Sequence, residues 1–223
     1  MKSRVTRYIL IISILANIFI AIPALILSTS SGLQNVLYQG ILAPRLGQPK
    51  IAFIGDSITA GGGIWALKIG EYNFDTWNFG HGGLTTKQLR HYGKTVALLH
   101  SKYAFIMAGI NDDDKTIEGA TVSFQYYQEI LDTLIESGVE PIIQLTLYRE
   151  NEESPQFIDA LNNSLRKYAG NHHLSVIDLN PLLCPDKSLL PQYSKDGVHL
   201  TPEAYKVWAL EIKKILRMKR VSN

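Results

Sequence analysis

Five positions in this 223-residue chain carry groups that could together transfer an acyl unit. Ser57 follows the apolar run 51–54 directly, through Gly55-Asp56. A serine hydroxyl becomes a good nucleophile only when a base takes its proton, and a histidine, with an unperturbed pKa near 6.5, can do so near neutral pH. His199 is the candidate base. Asp196, in Asp196-Gly197-Val198-His199, lies about one turn away and could fix the tautomer of the ring and steady the imidazolium. Attack on an ester carbonyl creates an oxyanion, which needs donors already in place. The amides of Ser57 and Gly80 and the side-chain amide of Asn111 would supply three, and losing one such donor costs about 2.7–4 kcal/mol in the transition state. Each residue alone has a plainer reading: Asp56 or Ser57 as a helix cap, Gly80 as a turn glycine, Asn111 as a loop residue bonding its own backbone, Asp196 as a helix-leading carboxylate. Their occurrence together, each beside an expected strand end, favours chemistry.

The elements that must position them alternate in type. Short apolar runs at 50–55, 74–79, 103–108, 140–146 and 174–178 read as strands, each closed by loop-forming residues. Helical periodicity marks 62–71, 85–100, 118–137, 155–170 and 201–217. In the fourth of these, Phe157, Leu161, Leu165 and Tyr168 make one apolar stripe, which is core and not a cofactor box. Pro155 suits a first helical turn behind Ser154, and Thr201-Pro202-Glu203 opens the last helix in the same way. Five strands with intervening helices predict a flavodoxin-like three-layer α/β/α sandwich around a parallel sheet. In such a sheet ligands bind outside the carboxyl ends of the strands, where Gly55-Asp56-Ser57, Gly80, Gly109-Ile110-Asn111-Asp112 and Asp196-Gly197-Val198-His199 all fall.

Those four blocks resemble the SGNH (GDSL-type) hydrolases, over about residues 50–215. The resemblance implies Ser57 as nucleophile, His199 as base, Asp196 as its orienter, and Ser57, Gly80 and Asn111 as the oxyanion hole. There are departures: Ile58 stands where leucine is usual, and His81-Gly82-Gly83 replaces the serine common after the second-block glycine. An α/β-hydrolase is excluded, because Thr59 occupies the last position of what would be Gly-x-Ser-x-Gly and the Asp-His spacing is too short. The stretch from Ser194 to Glu203 is similar to the small acetylhydrolase-like branch, which includes platelet-activating-factor acetylhydrolase-like proteins. That similarity implies hydrolysis of short acyl esters, acetyl above all, through an acyl-serine, with O-acetylated carbohydrate as one substrate class. An acyltransferase moving acetyl groups onto a glycan by the same triad is the alternative; a catalytically silent glycan-binding domain is a third reading, from a different class. Trp65, Tyr148 and Tyr193 fall near the expected rim and could stack on a sugar ring, or be packing residues. The acidic run Asp112-Asp113-Asp114 would disfavour anionic substrates if it lined the crevice.

Composition narrows the remainder. A net charge of +2 gives no case for a nucleic-acid partner. Cys184 is the single cysteine, so neither an intramolecular disulfide nor a cysteine-built zinc site can form, and it is expected to be buried and inert. The pair His172-His173 lacks further ligands at suitable spacing, and no metal or cofactor is expected. Oligomeric state is not readable. Residues 8–27 are almost wholly apolar, about the length that crosses a hydrocarbon core; Lys2, Arg4 and Arg7 precede them and no charge follows until Arg45. This predicts a basic cytoplasmic tail at 1–7, a transmembrane anchor at 8–27, a linker at 28–48, the hydrolase domain at 49–218 outside the cytoplasm, and a tail at 219–223. A cleavable signal ending near Ser28-Thr29-Ser30 is the competing reading and gives a secreted protein.

Overall fold

The apolar residues of β1 (Ile51–Gly55) and β3 (Tyr103–Met107) are buried at every position, as strands covered on both faces must be. The computed structural model describes residues 48–70 and 75–221. The expected membrane segment at 8–27 and nearly all of the linker lie outside the described residues. Among the described residues no helix is long and apolar enough to cross a membrane.

With β2 (Thr76–Gly80), β4 (Glu140–Gln144) and β5 (Ser175–Ile177), the strands form one parallel sheet in the order β2-β1-β3-β4-β5. The described helices are α1 (Ser57–Ala60), α2 (Trp65–Ile69), α3 (Thr86–Leu98), α4 (Ile117–Glu136), α5 (Pro155–Asn171), α6 (Asn180–Leu183) and α7 (Pro202–Val221). On one face α4 packs between α3 and α5; on the other α2 packs on α7. The result is the expected three-layer sandwich. Winding reverses at β1, so the switch point, where such sheets bind ligands, lies between β1 and β3.

Polar bonds tie the layers where apolar packing alone would leave them free to slide. The Tyr127 hydroxyl of α4 donates to the Ile106 carbonyl at 2.6 Å, and Trp208 Nε1 of α7 donates to Gln144 Oε1 at 2.5 Å. The stripe Phe157, Leu161, Leu165 and Tyr168 is buried, as its spacing requires. Most boundaries shift from expectation: β4 stops at Gln144, and the helix expected at 62–71 spans only Trp65–Ile69, behind the separate turn α1. Two further shifts have a plain cause. Strand β2 ends on Gly80, so this glycine belongs to the sheet and not to the following loop. Helix α7 continues past 217 to Val221, with Lys219 and Arg220 in its last turn, where cations favour the helix dipole, and with Lys219 paired to Glu140.

Strand β2 approaches α1 so closely that only glycine fits. A Cβ on Gly80 would lie 2.3 Å from the Ala60 nitrogen, a backbone atom that cannot step aside. Gly80→Ala is therefore expected to destabilise the fold by about 1–3 kcal/mol, as overpacking does, read as a lower urea midpoint at unchanged slope. An unaltered midpoint would show that the contact is loose.

Candidate active site

At the end of β1 the chain turns directly into the single-turn helix α1. Asp56 caps it, its Oδ1 accepting the Ile58 amide at 2.9 Å, so the capping role read for Asp56 in the sequence holds. Ser57 is the first helical residue, and the first amides of a helix find no carbonyl within it. Three side chains fasten this turn. Trp65 Nε1 and Asn78 Nδ2 each donate to the Thr59 carbonyl at 3.1 Å, and the Tyr205 hydroxyl of α7 donates to the Ile58 carbonyl at 2.7 Å.

The histidine comes from a loop closed on itself just before α7. Ser194 and Leu200 form an antiparallel bridge, the Lys195 amide donates to the His199 carbonyl at 2.8 Å, and Leu200 is fully buried. Gly197 bends the loop at φ +91°, donating to Ser194 Oγ at 2.7 Å while its carbonyl accepts the Glu150 amide at 2.7 Å. Thr201 and Pro202 then open α7, Thr201 Oγ1 accepting the Ala204 amide at 3.4 Å.

These two constructions meet. His199 Nε2 stands 3.0 Å from Ser57 Oγ, and His199 Nδ1 stands 2.7 Å from Asp196 Oδ2. The other Asp196 oxygen accepts the amides of His199 at 2.9 Å and Val198 at 3.2 Å. The His199 amide and ring bonds hold the Asp196 carboxyl down at about 2, so it is ionised throughout the neutral range. A proton on Ser57 thus has a route to an imidazole whose far nitrogen faces a fixed anion.

The cleft over Ser57, of ≈ 600 Å³, is lined by Gly82, Gly83, Asn111, Arg149, Asp196, Val198 and His199. Asn111 Nδ2 gives one hydrogen to the Leu84 carbonyl at 3.2 Å, which leaves its second for the cleft and ties down the loop that carries Gly83. Gly80 does not fill the place expected of it. Its amide is spent on Asn78 Oδ1 at 2.9 Å, because Gly80 is the buried last residue of β2, and it does not line the cleft. Gly83 does, at φ +74°, with an amide that makes no hydrogen bond within the described residues. The signal for Gly83 was the Gly82-Gly83 pair itself, since a loop that must turn through positive φ calls for glycine.

The aromatic candidates do not face the cleft. Trp65 is 1% exposed and stacks on Phe53 at 4.5 Å, and Tyr148 is 7% exposed with its hydroxyl on Asp159 at 2.5 Å. Tyr193 packs against the core within a short 3₁₀ turn, Pro191–Tyr193. All three sit on the rim loops in sequence yet turn inward, because large apolar rings at strand ends gain more from the core than from water. Asp112 accepts the Thr86 amide at 2.8 Å and the Thr86 hydroxyl at 2.7 Å, pinning the start of α3. With Asp113 and Asp114 it lines a concavity beside Thr85 and Tyr126, apart from the Ser57 cleft. Cys184 is buried, and burial pushes its thiol up to about 12. Arg149 was missed by sequence reading; it lies in the loop after β4, five residues beyond Gln144, too far from the strand end for its position to mark it.

Residues 53–207 match the GDSL-like Lipase/Acylhydrolase family. In sequence, the chain is 26% identical over 132 residues to the N-acylneuraminate cytidylyltransferase of Streptococcus agalactiae, covering 57% of this chain and 31% of that protein. The chain thus spans about a third of the length of the curated relatives it matches. In structure, it superposes on a GDSL-like lipase from Bacteroides thetaiotaomicron with a TM-score of 0.68 at 21% identity, over 85% of this chain and 100% of that one. A member of carbohydrate esterase family 3 from Talaromyces cellulolyticus superposes with a TM-score of 0.61 at 16% identity, over 78% and 98% of the two chains. These structural likenesses are ones of fold.

Asp56, next to the serine, is 1% exposed, and its Oδ2 has no hydrogen-bond partner among the described residues. Burial, reinforced by the Asp112 charge and opposed by the Ile58 amide and His199, raises its carboxyl to about 7. A carboxyl raised in the folded state stabilises the fold fully below its unfolded pKa and loses that contribution as pH rises through the folded value. The window here runs from about 4 to about 7. Thermal melts across it should show wild-type stability falling relative to Asp56→Asn, which carries no titrating group. Parallel curves for the two proteins would contradict the burial of a protonatable Asp56.

Proposed function

From its membership of the GDSL-like lipase/acylhydrolase family, to which the chain belongs as an ester hydrolase, we propose a serine esterase that removes short acyl groups, acetyl foremost, from carbohydrate esters. The observation that carries this reading is the run of contacts from Ser57 Oγ through His199 to Asp196, at 3.0 and 2.7 Å. His199 Nε2 takes the Ser57 proton as Oγ attacks the ester carbonyl, while Asp196 holds the ring and balances the imidazolium. The oxyanion is met by the Ser57 amide, the free hydrogen of the Asn111 side chain and the Gly83 amide, the last in place of Gly80. Collapse expels the alcohol, which takes the proton from His199, and leaves acyl-Ser57. Water, deprotonated by the same imidazole, then attacks the acyl carbon and releases the acid.

The cleft wall supports a short acyl group. Val198 is the one apolar side chain among its lining residues, so a long chain would gain little of the roughly 0.8 kcal/mol that each buried methylene is worth. The fold shared with a carbohydrate esterase supports a sugar as the alcohol. The cytidylyl transfer named for the streptococcal relative is not carried over, since the match takes in only 31% of that protein. The apolar run at 8–27, with Lys2, Arg4 and Arg7 before it, supports an anchor or signal that sends the domain outside the cytoplasm.

Residues 45–223 should cleave para-nitrophenyl acetate with a kcat/KM at least equal to that for the octanoate, since no apolar wall rewards the longer chain. Asn111→Ala should lower kcat by about 10²–10³-fold, the effect of deleting one oxyanion donor. A kcat/KM clearly higher for the octanoate, or an undiminished Asn111→Ala enzyme, would refute the assignment.

A further inference from the structure

Arg149 is the lining residue of the cleft for which acyl transfer itself has no use. Its main chain is fixed, the amide donating to Glu152 Oε2 at 3.1 Å and the carbonyl accepting the Leu189 amide at 3.1 Å. Arg149 is half-buried, and among the described residues its guanidinium makes one hydrogen bond, from Nη2 to the Ile110 carbonyl at 2.5 Å. Among the described residues no carboxylate lies within ion-pair distance of it, whereas Arg90 and Arg166 hold Glu129 and Asp178. A guanidinium has five donor hydrogens in a rigid fork, so most of its capacity is unspent.

A purely structural role for the side chain is already filled. Lys115 Nζ donates to the same Ile110 carbonyl at 2.8 Å and to the Gly109 carbonyl at 3.2 Å, which holds the Asn111 loop without help. Two cations therefore converge on one carbonyl beside Asn111, and burial together with the Arg149 charge pulls the Lys115 ammonium below the ordinary lysine range. Crowding a second positive charge here is unfavourable unless something negative joins it. Asp112, Glu152 and Asp113 offset part of this at Lys115, but among the described residues none of them pairs with Arg149. Asp196 is engaged by His199, Glu152 accepts the Arg149 and Ser154 amides, and Asp113 and Asp114 line a separate concavity. Glu150, Glu152 and Glu153 line a second groove together with Arg149 and Lys115, none of them within ion-pair distance of the guanidinium.

We propose that Arg149 binds a carboxylate on the alcohol portion of the substrate, so that the enzyme acts on acyl esters of acidic molecules, such as sugar acids. The inference rests on the esterase reading above. The acyl group is too small to carry the anion if it is acetyl, which places the carboxylate on the alcohol side, within the cleft that Ser57 and Arg149 share.

The test compares para-acetoxybenzoate with para-acetoxybenzamide, two acetyl esters of one shape that differ in charge. The ratio of their kcat/KM values is measured for wild type and for Arg149→Gln; comparing ratios cancels the difference in leaving-group strength. The ratio should fall about tenfold to a hundredfold in the variant, mainly through KM for the anionic ester, which is what a charge-assisted hydrogen bond is worth. Arg149→Lys should recover part of it. Should Arg149→Gln fail to fold, wild type decides the matter: para-hydroxybenzoate should inhibit it more tightly than para-hydroxybenzamide. An unchanged ratio, an equal fall on both esters, or equal inhibition overturns the role of Arg149 and leaves the esterase reading standing. A wild type that hydrolyses neither ester overturns both.

Discussion

Complete burial of β1 and β3 is the constraint from which the rest follows. A central parallel strand covered on both faces can offer polar groups only where it ends, and both strands end at the same rim. Ser57 stands beyond one and Asn111 beyond the other, across the switch point. The serine needs no long loop to reach solvent. It reaches the cleft, half-buried, because the strand before it has no room for it.

The second requirement is that parts far apart in sequence hold a common geometry. His199 lies 142 positions from Ser57, yet their side chains meet at 3.0 Å. The bond from Tyr205 to the Ile58 carbonyl explains how: α7 starts three residues after His199, at Pro202, and grips the turn that starts at Ser57. Trp65 and Asn78 brace the same turn from below, through the Thr59 carbonyl. Buried hydrogen bonds of this kind are costly to leave half-made, which fixes the relative placement of nucleophile and base more firmly than apolar packing could.

How much of this was legible in the sequence depends on the type of signal. The five strands, the α5 stripe and the rim positions of Ser57, Asn111, Asp196 and His199 could be read because periodicity and strand ends are local facts. Gly80 was assigned a donor role that it does not have, since the fate of its amide depends on Asn78, and whether a strand stops at 79 or 80 is below the precision of pattern reading. Trp65, Tyr148 and Tyr193 sit near the rim in the chain but turn inward; which way a ring points is decided by tertiary packing that no spacing records. The buried Oδ2 of Asp56 and the unpaired guanidinium of Arg149 were invisible for the same reason, being statements about what is missing from a neighbourhood.

The central claim is that Ser57 carries the acyl group between two halves of the reaction. The direct measurement is mass analysis of peptides from enzyme mixed with a reactive acetyl ester and quenched in acid within one turnover. The account requires the peptide containing Ser57 to gain the mass of one acetyl group, and to lose it again when turnover is allowed to finish. Steady hydrolysis of the same ester with Ser57 never acetylated, or acetylated only at another residue, would contradict it.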